Sequence, residues 1–173
     1  MKSQPRTLVI VNPASARARR AWPKIREALT SAGVAFDAHE TTHVGDATAK
    51  TRAALRDGYS LIAIVGGDGT LSEAASGFFE FEDAGTRAAP PLPSAINREA
   101  ALAILPAGTG DDFARGLSEG VREPLEKWLA RFISFCRGNE TREARVIDAI
   151  HGRVDEGERN FICINVATIG LGA

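Results

Sequence analysis

A glycine-rich loop follows a short apolar run in the first half of the chain. The run Leu61–Val65 leads into Gly66–Thr70, which reads GGDGT, and then into residues that suit a helix. Glycines let a backbone approach a ligand closely, and the N–H groups at a helix start attract an anion. A tight strand-to-helix turn is the alternative, but such a turn needs one or two glycines. The residue types therefore predict a phosphate-binding loop.

A second loop repeats this arrangement later in the chain. The apolar run Leu102–Leu105 leads into Gly108–Gly110, and Asp111 and Asp112 follow at the expected start of a helix, which one of them is expected to cap. Two such loops on one sheet indicate a site for the phosphates and ribose of a nucleotide, with acidic residues left for Mg²⁺. Neither loop is a GxxxxGK[ST] P-loop or a GxGxxG dinucleotide fingerprint.

A third candidate segment follows the first apolar run, Leu8–Val11. Asn12 and Pro13 open it and Ser15 closes it, at the same edge of the predicted sheet. A site element and a simple turn with Ser15 as an N-cap are equally compatible with these residues.

Apolar runs alternate with amphipathic stretches along most of the chain. Further strands are predicted at Phe161–Val166 and, more weakly, at Val34–Ala38, because each run is short and bounded by turn residues. Helices are predicted around Trp22–Leu29, over Ala47–Leu55 and over the stripe Leu125–Cys136. Strands that are apolar throughout and alternate with helices predict an α/β fold, with a parallel sheet covered by helices on both faces.

Two segments depart from this alternation. Glu82–Glu99 contains three prolines and no helical period, which predicts a long surface loop. This loop is either a functional lid or a tolerated insertion, and insertion is favoured. Arg145–Ile150 and Asn160–Val166 predict the strands of a hairpin, joined by a polar turn over His151–Arg159.

Composition excludes several classes of protein. The 173 residues carry 21 Lys and Arg against 22 Asp and Glu, and 44% are hydrophobic. These values exclude disordered and fibrous proteins, and a near-neutral charge argues against nucleic-acid binding.

Cys136 and Cys163 lack CxxC spacing and lie among apolar residues, which predicts reduced, buried thiols. The run Leu8–Val11 is too short for a signal peptide or a membrane span, so we expect a cytoplasmic protein.

Together these segments resemble a known family. NPAS (12–15), GGDGTLSE (66–73) and LPAGTGDDFARGL (105–117) resemble the catalytic domain of diacylglycerol kinases and related bacterial lipid kinases, a group that includes sphingosine and ceramide kinases. GGDGT alone also resembles NAD kinase and, as GGDG, phosphofructokinases. The paired GTGxDFAR sequence points to the diacylglycerol-kinase-like group, and the resemblance continues to residues 165–173.

The resemblance implies an activity and a domain arrangement. A Rossmann-like ATP-binding domain is expected at 1–143, and 144–173 would be the truncated start of a β-sandwich lipid-binding domain. The implied reaction moves the γ-phosphate of ATP to a lipid hydroxyl, such as that of diacylglycerol, with Mg²⁺. The partner would be a lipid at a membrane surface, on the inner face for a cytoplasmic protein, and a homodimer through unpaired strand edges is a further expectation. The family's catalytic base lies in the second domain, so we expect this chain to bind nucleotide and to lack the base.

The resemblance also implies roles for individual residues. Asp68, Asp112 and Asp148 match acidic positions of a water-mediated Mg²⁺ network, and Asp68 is the implied catalytic residue. Asp148 is equally compatible with a solvent-facing turn residue. The residues implied to bind the nucleotide are Asn12, Pro13, Ser15, Thr41, Gly66, Gly67, Asp68, Gly69, Thr70, Glu73, Gly108, Thr109 and Gly110.

Two positions depart from the family pattern. Ala16 stands where the family usually has Gly, and Asp111 stands where it commonly has Asn. Arg17, Arg19 or Arg20 could compensate at the phosphates, although a solvated helix face is the favoured interpretation of these arginines. A carboxylate at position 111 repels phosphates unless it faces away, caps the helix or meets a metal.

Two other functions are compatible with the residues. A non-catalytic nucleotide-binding module would fit Ala16 and the missing second domain. A kinase for NAD or another small molecule would fit GGDGT, although the GTGDDFAR segment argues against it.

Overall fold

The structure is a computed structural model that describes residues 4–81, 92–138, 144–154 and 159–164. Strands and helices alternate from Thr7 to Ser76, three strands and then two helices follow up to Cys136, and the last two ranges contain a hairpin. In chain order the elements are β1 (Thr7–Val11), α1 (Ala16–Ser31), β2 (Phe36–Glu40), α2 (Asp46–Arg56), β3 (Leu61–Gly66), α3 (Asp68–Ser76), β4 (Phe79–Glu80), β5 (Ser94–Ala95), β6 (Ala101–Pro106), α4 (Asp112–Leu117), α5 (Leu125–Cys136), β7 (Ile150–Val154) and β8 (Arg159–Cys163).

Four parallel strands form the central sheet, in the order β2-β1-β3-β6. At its carboxyl edge Val11 lies opposite Glu40 on one side and Val65 on the other, and Gly66 lies opposite Pro106. The ends of β1, β3 and β6 are therefore level, and the loops that follow them leave the sheet at one edge. This confirms the predicted parallel sheet.

Helices cover both faces of the sheet. Along β1, Val9 and Val11 contact a cluster that includes residues of α1 and α5, whereas Leu8 and Ile10 contact one that includes residues of α2, α3 and α4. All four side chains are at most 2% exposed. Burial on both faces explains why the strand is apolar at successive positions instead of alternating.

Most predicted elements are present with small shifts. The stripe Leu125–Cys136 is helix α5 with the same bounds. The strand predicted at Val34–Ala38 lies two residues later, because Gly33 has a φ of 67° and ends α1 with a left-handed turn. The N–H of Val34 bonds back to the carbonyl of Leu29, so Val34 belongs to the helix end and not to the strand.

The segment predicted as one long surface loop, Glu82–Glu99, is partly regular. Strand β5 pairs antiparallel with β4, so the prediction that the loop continues through Ser94–Ala95 is wrong. Residues 82–91, on which the prediction of a lid or an insertion depends, lie outside the described residues.

The predicted hairpin is present, but its strands are placed differently. The sequence predicts a strand at Arg145–Ile150 and a turn at His151–Arg159, whereas β7 begins at Ile150 and continues through the first residues of that turn. Gly152 is the source of the error. It lies inside β7 opposite Phe161, and a Cβ on Gly152 would be 2.0 Å from Cζ of that ring. Glycine therefore makes room for an aromatic ring across the hairpin, where the sequence suggests a turn.

Both cysteines are free and buried, as the sequence predicts. Burial raises the pKa of the Cys136 thiol to about 11, which keeps it protonated at neutral pH. Within the described ranges, no helix combines the length and the apolar character needed to cross a bilayer.

Glu123 joins the segment after α4 to helix α5, and its ionisation is expected to contribute to stability. Arg131 Nη2 donates to its Oε1 at 3.0 Å and the Ser118 hydroxyl donates to its Oε2 at 3.0 Å. Hydrogen bonds from Arg131 and then from Lys127 lower the pKa of Glu123 from 4.5 to about 2. Because the folded pKa lies below the unfolded one, this contribution is complete above pH 4.5 and is lost as the pH falls through 2.

We therefore expect Glu123→Gln to lower the melting temperature near neutral pH, by an amount that shrinks as the pH approaches about 2. Thermal unfolding of both proteins across that pH range measures this, with the same substitution at exposed Glu27 as the matched control. A difference that stays constant down to the lowest pH would contradict the expectation.

Candidate functional site

An open cleft of about 540 Å³ lies at the carboxyl edge of the sheet, among the loops that follow β1, β3 and β6. Parallel α/β sheets bind ligands at this edge. The structure brings together here eight of the residues predicted to bind a nucleotide: Asn12, Ser15, Gly67, Asp68, Gly69, Thr70, Gly108 and Thr109.

The two glycine loops touch through their backbones. A Cβ added to Gly108 would lie 2.4 Å from the Cα of Gly67, and one added to Gly67 would lie 3.0 Å from the Cα of Gly108. Neither glycine has a left-handed backbone. The N–H of Ala107 donates to the carbonyl of Gly66 at 2.9 Å, which continues the pairing of β3 and β6 into the loops. Close approach is therefore the reason that both positions require glycine.

The loop after β1 is tied to both glycine loops. Asn12 Nδ2 donates to Thr70 Oγ1 at 2.9 Å, and Asn12 Oδ1 accepts from the N–H of Ala14 at 3.0 Å. The Ser15 hydroxyl donates to the carbonyl of Ala107 at 2.9 Å, and Ser15 is also the N-cap of α1. The turn-and-cap interpretation of this segment is thus correct for Ser15, and the same residue also lines the cleft.

Asp68, in the first glycine loop, caps helix α4, which follows the second glycine loop. Its Oδ2 accepts from the N–H of Asp112 at 2.9 Å, and its Oδ1 accepts from the N–H of Phe113 at 3.1 Å. The N-cap residue of α4, Asp111, makes no capping hydrogen bond of its own. Asp68 therefore satisfies first-turn N–H groups that would otherwise lack a partner.

The described ranges contain no cluster of three carboxylates, although Mg²⁺ often takes only one or two, with waters and substrate phosphates as its other ligands. No group of three Asp, Glu, His or Cys residues in these ranges could hold a metal ion. The side chain of Asp112 is 63% exposed and pairs with Arg115 at 3.1 Å. Asp148 is exposed, on a segment without regular secondary structure. The Mg²⁺ network stays a prediction from the family resemblance.

Asp111 is buried and does not line the cleft. Its φ is 53°, a left-handed conformation that Asn and Asp adopt more readily than most residues. Its Oδ1 accepts from the N–H of Gly108 at 2.8 Å, and its Oδ2 pairs with Arg122 Nη2 at 2.7 Å. The Arg122 guanidinium therefore offsets the negative charge of this carboxylate behind the second glycine loop. No sequence motif identifies Arg122, and the only indication is that a buried carboxylate at position 111 needs a cationic partner.

Arg17 places a guanidinium in the cleft beside Ala16. Its Nη1 donates to the carbonyl of Gly108 at 2.9 Å, and Arg17 lines the cleft. Arg19 and Arg20 donate to backbone carbonyls of their own segment and do not line it. Of the three arginines that could compensate for the missing glycine, Arg17 is thus the one that lines the cleft.

The other predicted residues flank the cleft. Gly66 ends β3 and is buried. Thr41 extends the sheet, because its N–H donates to the carbonyl of Val11 at 2.8 Å. The Glu73 carboxylate accepts from the N–H of Gly45 at 3.0 Å, so it supports the start of α2 and not the glycine loops. The predicted nucleotide-binding residues that do not line the cleft are Pro13, Thr41, Gly66, Glu73 and Gly110.

A polar network orders the segment that carries Thr41. Asp46, the first residue of α2, accepts from the N–H of Thr42 at 2.8 Å, and its Oδ1 lies 3.1 Å from His39 Nε2. The backbone hydrogen bond from Thr42 is the main reason that the pKa of Asp46 is lowered. Gly45, with a φ of 87°, provides the turn into the helix. The network holds Thr41 close to the edge of the sheet.

A parallel sheet with three loops converging at its carboxyl edge defines the Rossmann-like class of α/β domain. Residues 6–148 match the family model of the diacylglycerol kinase catalytic domain. The chain therefore belongs to the diacylglycerol kinase catalytic domain family, which confirms the resemblance seen in the motifs.

Individual relatives agree with this assignment. A diacylglycerol kinase of Staphylococcus carnosus (strain TM300) is 32% identical over 114 residues, which cover 65% of this chain and 32% of the relative. A Xanthomonas campestris pv. campestris (strain 8004) protein named "Probable lipid kinase YegS-like" is 34% identical over 151 residues, or 86% of this chain and 42% of the relative. A crystal structure of a diacylglycerol kinase from Bacillus anthracis str. Sterne matches with a TM-score of 0.55 and 26% identity, over 78% of this chain and 45% of that one. The chain spans less than half the length of these relatives.

Proposed function

We propose that this chain binds ATP in the cleft and forms the nucleotide domain of a lipid kinase, which transfers the γ-phosphate of ATP to a lipid hydroxyl such as that of diacylglycerol. The convergence of two glycine loops and Arg17 on one cleft carries the ATP proposal. The names of the relatives support the lipid acceptor, which such a kinase would meet at the inner face of a membrane.

The donors for a triphosphate come from α3 and α1. Helix α3 begins at Asp68 with Gly67 as its N-cap, and no side chain in the described part of the chain caps it. Its first-turn N–H groups have no partner within the helix and carry partial positive charge. A Cβ on Gly69 would meet nothing within 4 Å, so this turn is open toward the cleft. Backbone amides and the Arg17 guanidinium are the groups that bind phosphate oxygens well.

Phosphoryl transfer requires positioning and charge neutralisation more than covalent chemistry. The backbone contact between Gly67 and Gly108 and the hydrogen bond from Asn12 to Thr70 hold the donors in place. Among the described residues that line the cleft, Asp68 is the only carboxylate, and both its oxygens accept from α4. We therefore assign Asp68 a positioning role, and the base predicted from the resemblance is not assigned to this chain.

Arg17→Ala tests the phosphate part of the proposal. We expect the Kd for ATP to rise about tenfold, since a hydrogen bond to a charged group contributes about 1.5–3 kcal/mol and 1.4 kcal/mol is tenfold. Isothermal titration calorimetry measures the Kd. Arg20→Ala is the matched control, because Arg20 lies on the same helix, outside the cleft. An unchanged Kd for Arg17→Ala, or no ATP binding by the unmodified chain, would contradict the proposal.

The acceptor is tested separately with radiolabelled ATP. The complete gene product is offered diacylglycerol in vesicles, NAD and a sugar phosphate, and label transfer is followed. Transfer to diacylglycerol supports the lipid kinase. Transfer to NAD would point to the other kinase class, and ATP binding without any transfer would point to a nucleotide-binding module.

A further inference from the structure

Asp111 and Arg122 form an ion pair behind the second glycine loop. Both residues line a separate cavity of about 290 Å³, next to Leu125 and Trp128, and neither lines the nucleotide cleft. The side chain of Asp111 is 3% exposed and that of Arg122 is 46% exposed. The pair therefore borders this separate cavity and not the cleft in which ATP is proposed to bind.

The pair holds both polar groups of the Gly108 backbone. Asp111 Oδ1 accepts from the N–H of Gly108 at 2.8 Å, and Arg122 Nη2 donates to its carbonyl at 3.1 Å. Arg17 donates to the same carbonyl from the cleft side at 2.9 Å. Any rotation of the backbone at Gly108 would break these hydrogen bonds and alter the contact with Gly67.

We propose that Asp111 and Arg122 are positioning residues that hold Gly108 in the orientation required for the phosphates of ATP; this inference rests on the proposed function. Each residue depends on the other. Without Arg122 the buried Asp111 carboxylate keeps, among the described residues, only the Gly108 N–H as a partner of its side chain, and a buried charge that loses its partner is strongly unfavourable. The aspartate then rotates away from its position, and Gly108 follows it.

The choice of Asp at position 111 supports this assignment. Asn also tolerates the left-handed backbone, and its side-chain oxygen can accept from the N–H of Gly108. What Asp adds is a negative charge directed at Arg122. Asp111→Asn therefore removes the ion pair that holds Arg122 against the carbonyl of Gly108, whereas the left-handed backbone and the hydrogen bond to the N–H of Gly108 can remain.

A double-mutant cycle tests the proposal. The Kd values for ATP and AMP are measured for the unmodified chain, Asp111→Asn, Arg122→Gln and the double variant, by competition with a fluorescent ATP analogue. We expect each single variant to raise the Kd for ATP about tenfold and the double variant to be no weaker than either, as for residues in one hydrogen-bond network. The Kd for AMP should change less, because AMP lacks the outer phosphates. A merely structural role would lower the melting temperature, with both Kd values unchanged or weakened equally.

Arg137→Gln is the matched control, since Arg137 also donates to a backbone carbonyl, that of Ala32, away from the cleft. If Arg122→Gln does not fold, Arg122→Lys replaces it, with folding checked by circular dichroism. ATP binding by the unmodified chain with unchanged Kd values in the variants overturns this inference alone. No ATP binding by the unmodified chain overturns the proposed function and this inference with it.

Discussion

Gly108→Ala is expected to abolish measurable ATP binding and to lower the melting temperature of the chain. The added Cβ would lie 2.4 Å from the Cα of Gly67 and 2.6 Å from Oδ1 of Asp111. The first neighbour is backbone and cannot move aside by changing rotamer, so the two loops must separate. Overpacking of this kind costs about 1–3 kcal/mol, and each kcal/mol lowers the melting temperature of a domain of this size by roughly 2–4 °C.

Binding should be more sensitive than stability to this change. The proposed phosphate donors are the first-turn N–H groups of α3 and the guanidinium of Arg17, and a shift of the Gly108 backbone misaligns its carbonyl with Arg17 and its N–H with Asp111. Calorimetric titration with ATP and thermal unfolding by circular dichroism measure the two effects on the same samples.

Gly116→Ala is the matched control for this experiment. Gly116 lies in α4, a Cβ there would meet nothing within 4 Å, and its φ is not left-handed. Because Ala is a better helix former than Gly, this variant should bind ATP normally and be slightly more stable. ATP binding by Gly108→Ala with the affinity of the unmodified chain would show that close contact between the loops is not required.

The sequence predicts the location of the cleft because two local rules meet there. Runs such as Leu61–Val65 are apolar on both faces, which requires a parallel sheet, and a parallel sheet brings its carboxyl ends to one edge. The glycines at 66–70 and 108–110 are thereby predicted at the same edge, and the observed strand order, with β3 next to β6, places them side by side. No knowledge of side-chain packing is needed for that step.

The partners inside the site could not be predicted, because they come from tertiary packing. Asp68 caps a helix that begins 44 residues later, at Asp112. Arg122 reaches Gly108 across the second glycine loop. A capping aspartate is predictable when it directly precedes its own helix, but nothing in local sequence shows that α4 takes its cap from another loop.

Gly152 shows a different limit. Glycine is required both where a chain turns and where a neighbouring side chain occupies the space of a Cβ. The sequence around residues 151–159 is polar and favours a turn, whereas the pairing of Gly152 with Phe161 makes it part of a strand. Only the residue opposite the glycine on the neighbouring strand distinguishes a turn from a strand here. That residue is known only once the pairing register of the two strands is known.

Asp68→Ala is expected to destabilise the chain by about 2 kcal/mol in the absence of nucleotide and metal, since it removes the cap from α4. Two backbone N–H groups, those of Asp112 and Phe113, lose a charged acceptor. Asp68→Asn keeps one acceptor oxygen and should cost about half as much, because an amide nitrogen cannot accept from an N–H group. Urea unfolding in the presence of EDTA measures both variants.

The same experiment separates a cap from a metal ligand. Asp112→Ala removes the neighbouring predicted Mg²⁺ residue, whose exposed side chain makes an ion pair with Arg115. An exposed pair of this kind contributes at most about 1 kcal/mol, so the expected order of destabilisation is Asp68→Ala, Asp68→Asn, then Asp112→Ala. Equal stabilities for Asp68→Ala and Asp112→Ala without metal would contradict the capping role. An effect of Asp68→Ala that arises only when Mg²⁺ and ATP are present would show that the carboxylate acts on the bound nucleotide instead.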